Sequence, residues 1–330
     1  MARRPAPKRG APKRSGAPKR GSGSSRGGGG RGASGRPTSA SGSSGGQRGR
    51  GGAAARSSGA STGQSRGARG TGGGPPRGGA RGLGGEQVEG RQAVRELLLT
   101  GRRKVREVWL AADLDPAPVL EDIVELAAEN RVLLQEVGRG KLEANARTDA
   151  PQGVLAFAAP LPEVGLDDLL RRRSGKPAPF LLCCDGITDP GNLGALLRSA
   201  ECAGVTGVVL PKHRAVHITP AVTKAAAGAI EHLPMAVVGG LPTAMRAMKD
   251  AGVWVLGLDG AADRSLWDLD LADEPVALVL GAEGAGLSRL TRERCDQLVS
   301  IPLVGRLASL NVSTAGALGV YEVARHRARG

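Results

Sequence analysis

The chain has 330 residues and a formal net charge of +15, but that charge is unevenly spread. Residues 1–85 carry 18 lysines and arginines, 28 of the 53 glycines and no acidic or aromatic side chain; residues 86–330 hold 28 basic and 31 acidic groups, a net charge of −3. This excludes one compact 330-residue globule and weakens the case for a strongly basic folded nucleic-acid binder, yet leaves enough chain to bury a sizeable core.

Residues 1–85 open with three near copies of Ala-Pro-Lys-Arg (Ala6–Arg9, Ala11–Arg14, Ala17–Arg20) and continue as Arg/Gly/Ser low complexity. Such a composition cannot offset ordering entropy by apolar burial, so a disordered tail is expected. Its cations would attract RNA phosphates without sequence preference, by counterion release, or simply solubilise the chain. No apolar run reaches the roughly 18 residues of a transmembrane helix. No hydrophobic stretch follows the charged Met1-Ala-Arg-Arg, as a secretory signal requires. A soluble, cytoplasmic protein without membrane contact is expected. Cys183, Cys184, Cys202 and Cys295 lack CxxC spacing and read as reduced thiols, with no metal site.

Residues 86–160 read as a small α/β domain. The spacing of Ala93, Val94, Leu97 and Leu98 predicts a helix within Gly90–Gly101, closed by its glycine. A strand follows over Val105–Leu110, then an amphipathic helix over Pro116–Asn130 and strands over Arg131–Val137 and Val154–Ala158. Residues 161–178, with their prolines and the Arg171-Arg172-Arg173 run, read as a linker.

Residues 179–330 form a second domain of alternating strands and helices. Strands are predicted over Phe180–Cys184, Gly207–Pro211, Met235–Val238, Val253–Leu258, Val276–Leu280 and Leu298–Ile301. Helices are predicted over Leu193–Ala203, Pro220–Ile230, Leu241–Ala251, Ser288–Cys295 and Val312–Arg327. Near-continuous apolar strands in alternation with helices argue a parallel, doubly wound sheet. Ligands bind such sheets beyond the carboxyl ends of the strands.

Three loops at those ends carry candidate chemistry. After the first strand, Asp189-Pro190-Gly191 is a turn signal, and Asn192 is placed to cap the helix that follows. Arg198, among Leu196, Leu197 and Ala200, either snorkels or serves a site. After the fifth strand, Gly281-Ala-Glu-Gly-Ala-Gly286 has the order GxxGxG, neither a dinucleotide fingerprint nor a phosphate loop. Glu283 within it would repel phosphates, which favours a neutral or cationic adenosyl ligand over a mere glycine-rich connection. The third segment, Ile301-Pro302-Leu303 followed by Ser309-Leu310-Asn311-Val312-Ser313, is either a capping cluster or a set of ligand contacts.

Together the three loops resemble the SpoU family of RNA 2′-O-ribose methyltransferases, in order and separation, across residues 86–330. Thr188-Asp189-Pro190 and Leu303–Ser313 look most like the branch that methylates a guanosine ribose of 23S ribosomal RNA. In one departure, Pro151-Gln152-Gly153 stands where family members often have His-Gln-Gly. The resemblance implies a parallel α/β domain whose C-terminal segment threads a deep trefoil knot, preceded by a small L30-like substrate-binding domain. It also implies a homodimer that uses S-adenosylmethionine. Gly281, Ile301 and Leu310 would hold the cofactor; Asn192, Arg198, Glu283, Ser309 and Asn311 would line the reaction site, with Glu283 orienting Arg198. The competing readings are a tRNA or antibiotic-resistance enzyme of the same chemistry, and a non-catalytic RNA-binding ribosome-assembly factor.

Overall fold

The computed structural model describes residues 83–213, 217–269 and 274–328. The tail expected over residues 1–85 lies, as far as residue 82, outside the described residues; its last three belong to the fold instead, since Leu83 is buried and its N–H donates to the Leu161 carbonyl, and Gly85 accepts from Arg103. Among the described residues no helix is long and apolar enough to cross a membrane.

The first part of the fold comprises β1 (Gln87–Glu89), α1 (Arg91–Thr100), β2 (Val105–Ala111), α2 (Pro118–Glu129), β3 (Leu133–Val137), α3 (Arg139–Asn145) and β4 (Val154–Ala158). Its sheet runs β1-β4-β2-β3, with β4 antiparallel to both neighbours and β2 parallel to β3. The α1 stripe of Ala93, Val94, Leu97 and Leu98 is buried against Ile123 of α2 and Val108 and Val154 of the sheet. Gly101 closes α1 in the left-handed conformation, the backbone state that glycine adopts without a Cβ penalty. Two elements have no counterpart in the sequence reading. Strand β1 is three residues long, too short to display a period, and α3 buries Leu142 alone.

The segment read as a linker contains α4 (Leu166–Leu170). Leu161, Leu169 and Leu170 are buried, and Glu163 pairs with Met235, so this stretch lies against the following domain.

That domain comprises β5 (Phe180–Asp185), α5 (Pro190–Cys202), β6 (Gly207–Pro211), α6 (Pro220–Ala225), β7 (Met235–Val238), α7 (Leu241–Asp250), β8 (Trp254–Leu258), β9 (Val276–Gly281), α8 (Arg289–Arg294), β10 (Gln297–Val299) and α9 (Val312–Arg327). The strand order is β10-β8-β9-β5-β6-β7, and every neighbouring pair is parallel. Both faces are covered: α5, α6 and α9 pack on one, α4 and α7 on the other. This explains why the strands read as continuous apolar runs rather than alternating ones.

One helix is cut well short of its predicted span. The helix expected over Pro220–Ile230 stops at Ala225; Ala227 (φ 49°) and Gly228 (φ 90°) turn the chain into a 3-10 turn, Ala229–Glu231. The reason is tertiary. Gly228 sits against α1, where a Cβ would come within 2.4 Å of the Glu96 Cβ. On the other side of α6, Gly194 of α5 lies so close that its Cβ would stand 2.4 Å from the Ala225 Cβ. This near-contact of α5 and α6 brings Arg198 and Lys224 to the wall of one cavity.

The same 3-10 turn joins the two domains. Arg103, between α1 and β2, donates to both carboxylate oxygens of Glu231 (2.6 and 3.0 Å) and to the carbonyls of Gly85 (2.6 Å) and Ala159 (2.7 Å). The two side chains are 2% and 0% exposed, so this is a buried ion pair with its hydrogen-bonding capacity largely used. Arg102 adds a bond to the Glu231 carbonyl at 2.6 Å.

Candidate active site

Helix α5 begins earlier than its apolar period suggests, because the turn signal is itself helical. Asp189 is the N-cap, its carboxylate accepting from the Asn192 backbone N–H at 2.6 Å, and Pro190 takes the first helical position. This corrects the reading of Asn192 as the cap. A proline costs nothing there, since the missing N–H would be unpaired anyway. With its backbone engaged by Asp189, Asn192 is free to use its side chain elsewhere.

That side chain joins the three loops. Asn192 Nδ2 donates to Glu283 Oε2 at 3.0 Å, and Asn192 Oδ1 accepts from Asn311 Nδ2 at 2.8 Å. Asn311 is held in turn by capping α9: its Oδ1 accepts from the Ser313 N–H (2.9 Å), the Ser313 hydroxyl (2.6 Å) and the Thr314 N–H (3.3 Å). The amide of Asn311 is thereby oriented, because one end is consumed by the helix terminus. Asn311, rather than Ser313, is the cap.

Beyond the carboxyl ends of β8 and β9 lies a cavity of about 370 Å³. Gly281, Glu283, Ile301, Ser309 and Leu310 all line it, together with Leu258, Asp259, Arg292 and Val312. Asp259 accepts from the Ala261 N–H at 2.9 Å and pairs with Arg292. Sequence reasoning missed Asp259 and Arg292. The signal was available in the rule that ligands sit at strand carboxyl ends, since Asp259 directly follows β8.

The glycine loop owes its composition to its own closure. Ala282 and Gly286 exchange backbone hydrogen bonds of 3.0 and 2.8 Å, and Gly284 and Gly286 have positive φ. A Cβ on Gly281 would lie 2.0 Å from the Gly286 carbonyl carbon and 2.2 Å from the Leu287 nitrogen. No side chain fits there.

Arg198 lies elsewhere. Six residues along α5 from Asn192, it lines a second cavity of about 600 Å³, walled by Glu89, Gln92, Arg147, Thr148, Asp149, Gln152 and Lys224. Glu283 hydrogen-bonds Asn192, so the expectation that Glu283 orients Arg198 is replaced by a Glu283–Asn192–Asn311 chain. The thiols stand outside this chemistry: burial pushes Cys184 and Cys295 up to about 12 and Cys183 well above its ordinary value.

A parallel sheet with a cofactor-sized cleft at its strand ends, and a polar chain linking three loops at that cleft, defines an α/β ligand-binding enzyme. The SpoU rRNA methylase family matches residues 179–321, and the RNA 2′-O ribose methyltransferase substrate-binding family matches residues 87–164. The chain is 40% identical over 245 residues to a 23S rRNA (guanosine-2′-O-)-methyltransferase RlmB of Pseudomonas syringae, covering 73% of this chain and 96% of that protein. It is 41% identical over 243 residues to the RlmB of Shewanella oneidensis, covering 73% and 97%. Among solved structures it is similar to the SpoU methyltransferase AviRb from Streptomyces viridochromogenes in complex with AdoMet, at 28% identity and a TM-score of 0.62, covering 74% and 91%. The chain belongs to the SpoU rRNA methylase family, and thus to the S-adenosylmethionine-dependent RNA 2′-O-methyltransferases. Its cavity suits that cofactor: Leu258, Ile301, Leu310 and Val312 offer apolar contact, and Glu283 offers a carboxylate to a cationic ligand, while Asp259 is paired with Arg292.

Proposed function

We propose that this protein is a cytoplasmic homodimer that methylates the ribose 2′-hydroxyl of a guanosine in 23S ribosomal RNA. The observation that carries the reading is the convergence of all three loops, through Asn192, Glu283 and Asn311, at the cavity lined by Gly281, Ile301, Ser309 and Leu310. The choice of guanosine and of 23S RNA rests on the likeness to the two RlmB relatives.

Two features favour a second subunit. Arg198 and the cofactor cavity have no lining residue in common, so a partner that brings the two together would complete the site. The C-terminal segment also exposes large apolar side chains, Leu303, Val304, Leu307, Leu318 and Tyr321 among them, the kind of patch that marks an interface. The reading includes a trefoil knot in that segment and an L30-like fold for the small domain; a single cavity lined by the loops after β9 and β10 is compatible with such a threading.

Bound S-adenosylmethionine supplies an electrophilic methyl group on a sulfonium leaving group. The chain must align the ribose oxygen with it and help the hydroxyl lose its proton. Arg198 cannot be the base, because a guanidinium stays protonated in proteins. Its role is to grip an adjacent phosphate and stabilise developing alkoxide charge, with phosphate or solvent taking the proton. Glu283, held by Asn192, would offer its carboxylate to the cofactor's positive charge.

Arg198→Ala tests the reading. S-adenosylmethionine affinity, measured calorimetrically, should stay within about twofold, while single-turnover methylation of 23S transcripts should fall about 10³-fold, roughly 4 kcal/mol of transition-state stabilisation. Arg198→Lys should restore little, lacking the planar two-pronged grip. Wild-type turnover by Arg198→Ala, or methylation of tRNA in place of rRNA by the parent protein, would overturn it.

A further inference from the structure

We infer that the cavity between the two domains is a preformed seat for the RNA backbone, in which Arg147 and Lys224 hold phosphates flanking the reacting nucleotide. This rests on the reading of the protein as an RNA methyltransferase. Arg147, Lys224 and Arg198 come from three separate elements, the loop after α3, helix α6 and helix α5, and converge on one cavity of about 600 Å³. None of the three makes a hydrogen bond or ion pair through its side chain among the described residues. With Glu89 and Asp149 also in the lining, three cations against two carboxylates leave the cavity net positive, which a phosphate backbone complements.

The wall that carries Arg147 is built, not incidental. Glu89, itself 0% exposed, accepts from the Arg147 N–H (2.7 Å), the Thr148 N–H (3.1 Å), the Thr148 hydroxyl (2.6 Å) and Gln87 Nε2 (2.9 Å). A buried carboxylate that accepts four hydrogen bonds hangs this loop at the cavity edge. On the adjoining wall, Gln152 holds the start of α1, its side-chain oxygen accepting from the Arg91 N–H at 3.1 Å. Gln152 (φ 57°) and Gly153 (φ 72°) both have positive φ, so the Pro-Gln-Gly segment is a fixed turn. Asp149 is exposed in the same lining and supplies an acceptor for the donor edge of a base. The buried Arg103–Glu231 pair links the two domains that wall the cavity. A cavity with cations from both domains suits an RNA strand.

The test uses the full-length protein and in vitro transcribed 23S rRNA. Arg147→Ala/Lys224→Ala should raise the half-saturating RNA concentration at least tenfold, with S-adenosylmethionine affinity within about twofold of the parent. The slope of log K on log salt should flatten by roughly 1.5, because each phosphate neutralised by a cation accounts for ~0.7–0.9 of that slope. Arg147→Lys/Lys224→Arg should stay near the parent, since charge is kept. Half-saturation unchanged within twofold, or a rise without change in salt slope, overturns the proposal. Independently of any loss of stability, p-benzoylphenylalanine in place of Ala221, inside the cavity, should photo-crosslink the RNA; absence of an adduct overturns it too. If the parent protein methylates tRNA rather than 23S transcripts, the substrate reading fails while the same measurements made on tRNA still decide the cavity.

Discussion

Replacing Arg103 by alanine would remove four hydrogen bonds, two to Glu231 and one each to the carbonyls of Gly85 and Ala159. It would leave the Glu231 carboxylate, 0% exposed, without its cation. Breaking a buried pair from one side costs about 3–5 kcal/mol, because the surviving charge stays desolvated. For a folded body of this size each kcal/mol lowers the melting temperature by roughly 2–4 °C, so a fall of about 6–20 °C is expected. Arg103→Leu/Glu231→Leu removes both charges and should recover much of that loss, since an apolar pair of similar volume needs no desolvation. Differential scanning calorimetry of the parent, Arg103→Leu, Glu231→Leu and the double variant closes the cycle. The reasoning is refuted if Arg103→Ala costs under about 1 kcal/mol, or if the double variant loses the sum of the singles.

Three further outcomes are expected. Gly281→Ala should cost at least about 1–3 kcal/mol, as overpacking against backbone does, and should weaken S-adenosylmethionine binding more than tenfold in calorimetry, because its Cβ would strike the Gly286–Leu287 backbone. Glu322, hydrogen-bonded by Arg325 at 2.8 Å, has its pKa lowered by that bond. A depressed folded pKa contributes stability above the unfolded value near 4.3 and loses it as pH falls through the folded one. Glu322→Gln should therefore lower stability at pH 7 by at most about 1 kcal/mol given the half-exposed Arg325, read as a lower melting temperature, and the gap should close as pH drops below about 4. Finally, deleting residues 1–82, which hold all 18 cations of the tail, should weaken RNA binding broadly and flatten its salt dependence; a change in which nucleotide is methylated would contradict the electrostatic role.

Much of this protein is legible from local pattern. The strands of the larger domain are buried on both faces, so each appears as an apolar run, and helices between them show their 3.6-residue stripe. The spacing of Asp189, Asn192, Glu283 and Asn311 was readable because each stands in a loop whose turn chemistry is local. The tail's composition and the weak negative charge of residues 86–330 likewise needed no tertiary structure. Other features depend on partners far along the chain. The break at Ala227–Gly228 serves the crossing of α1, and Gly194 and Gly281 are demanded by backbones that approach from elsewhere. Which loop met which was also undecided: Glu283 reached Asn192 across 91 positions, not Arg198, because residues 192 and 198 leave α5 on different faces. The pairing of Arg103 with Glu231 spans 128 positions, and no periodicity encodes it. Local chemistry determined which elements form, while long-range packing decided which side chains share a cavity, since burial and charge pairing are set by neighbours in space.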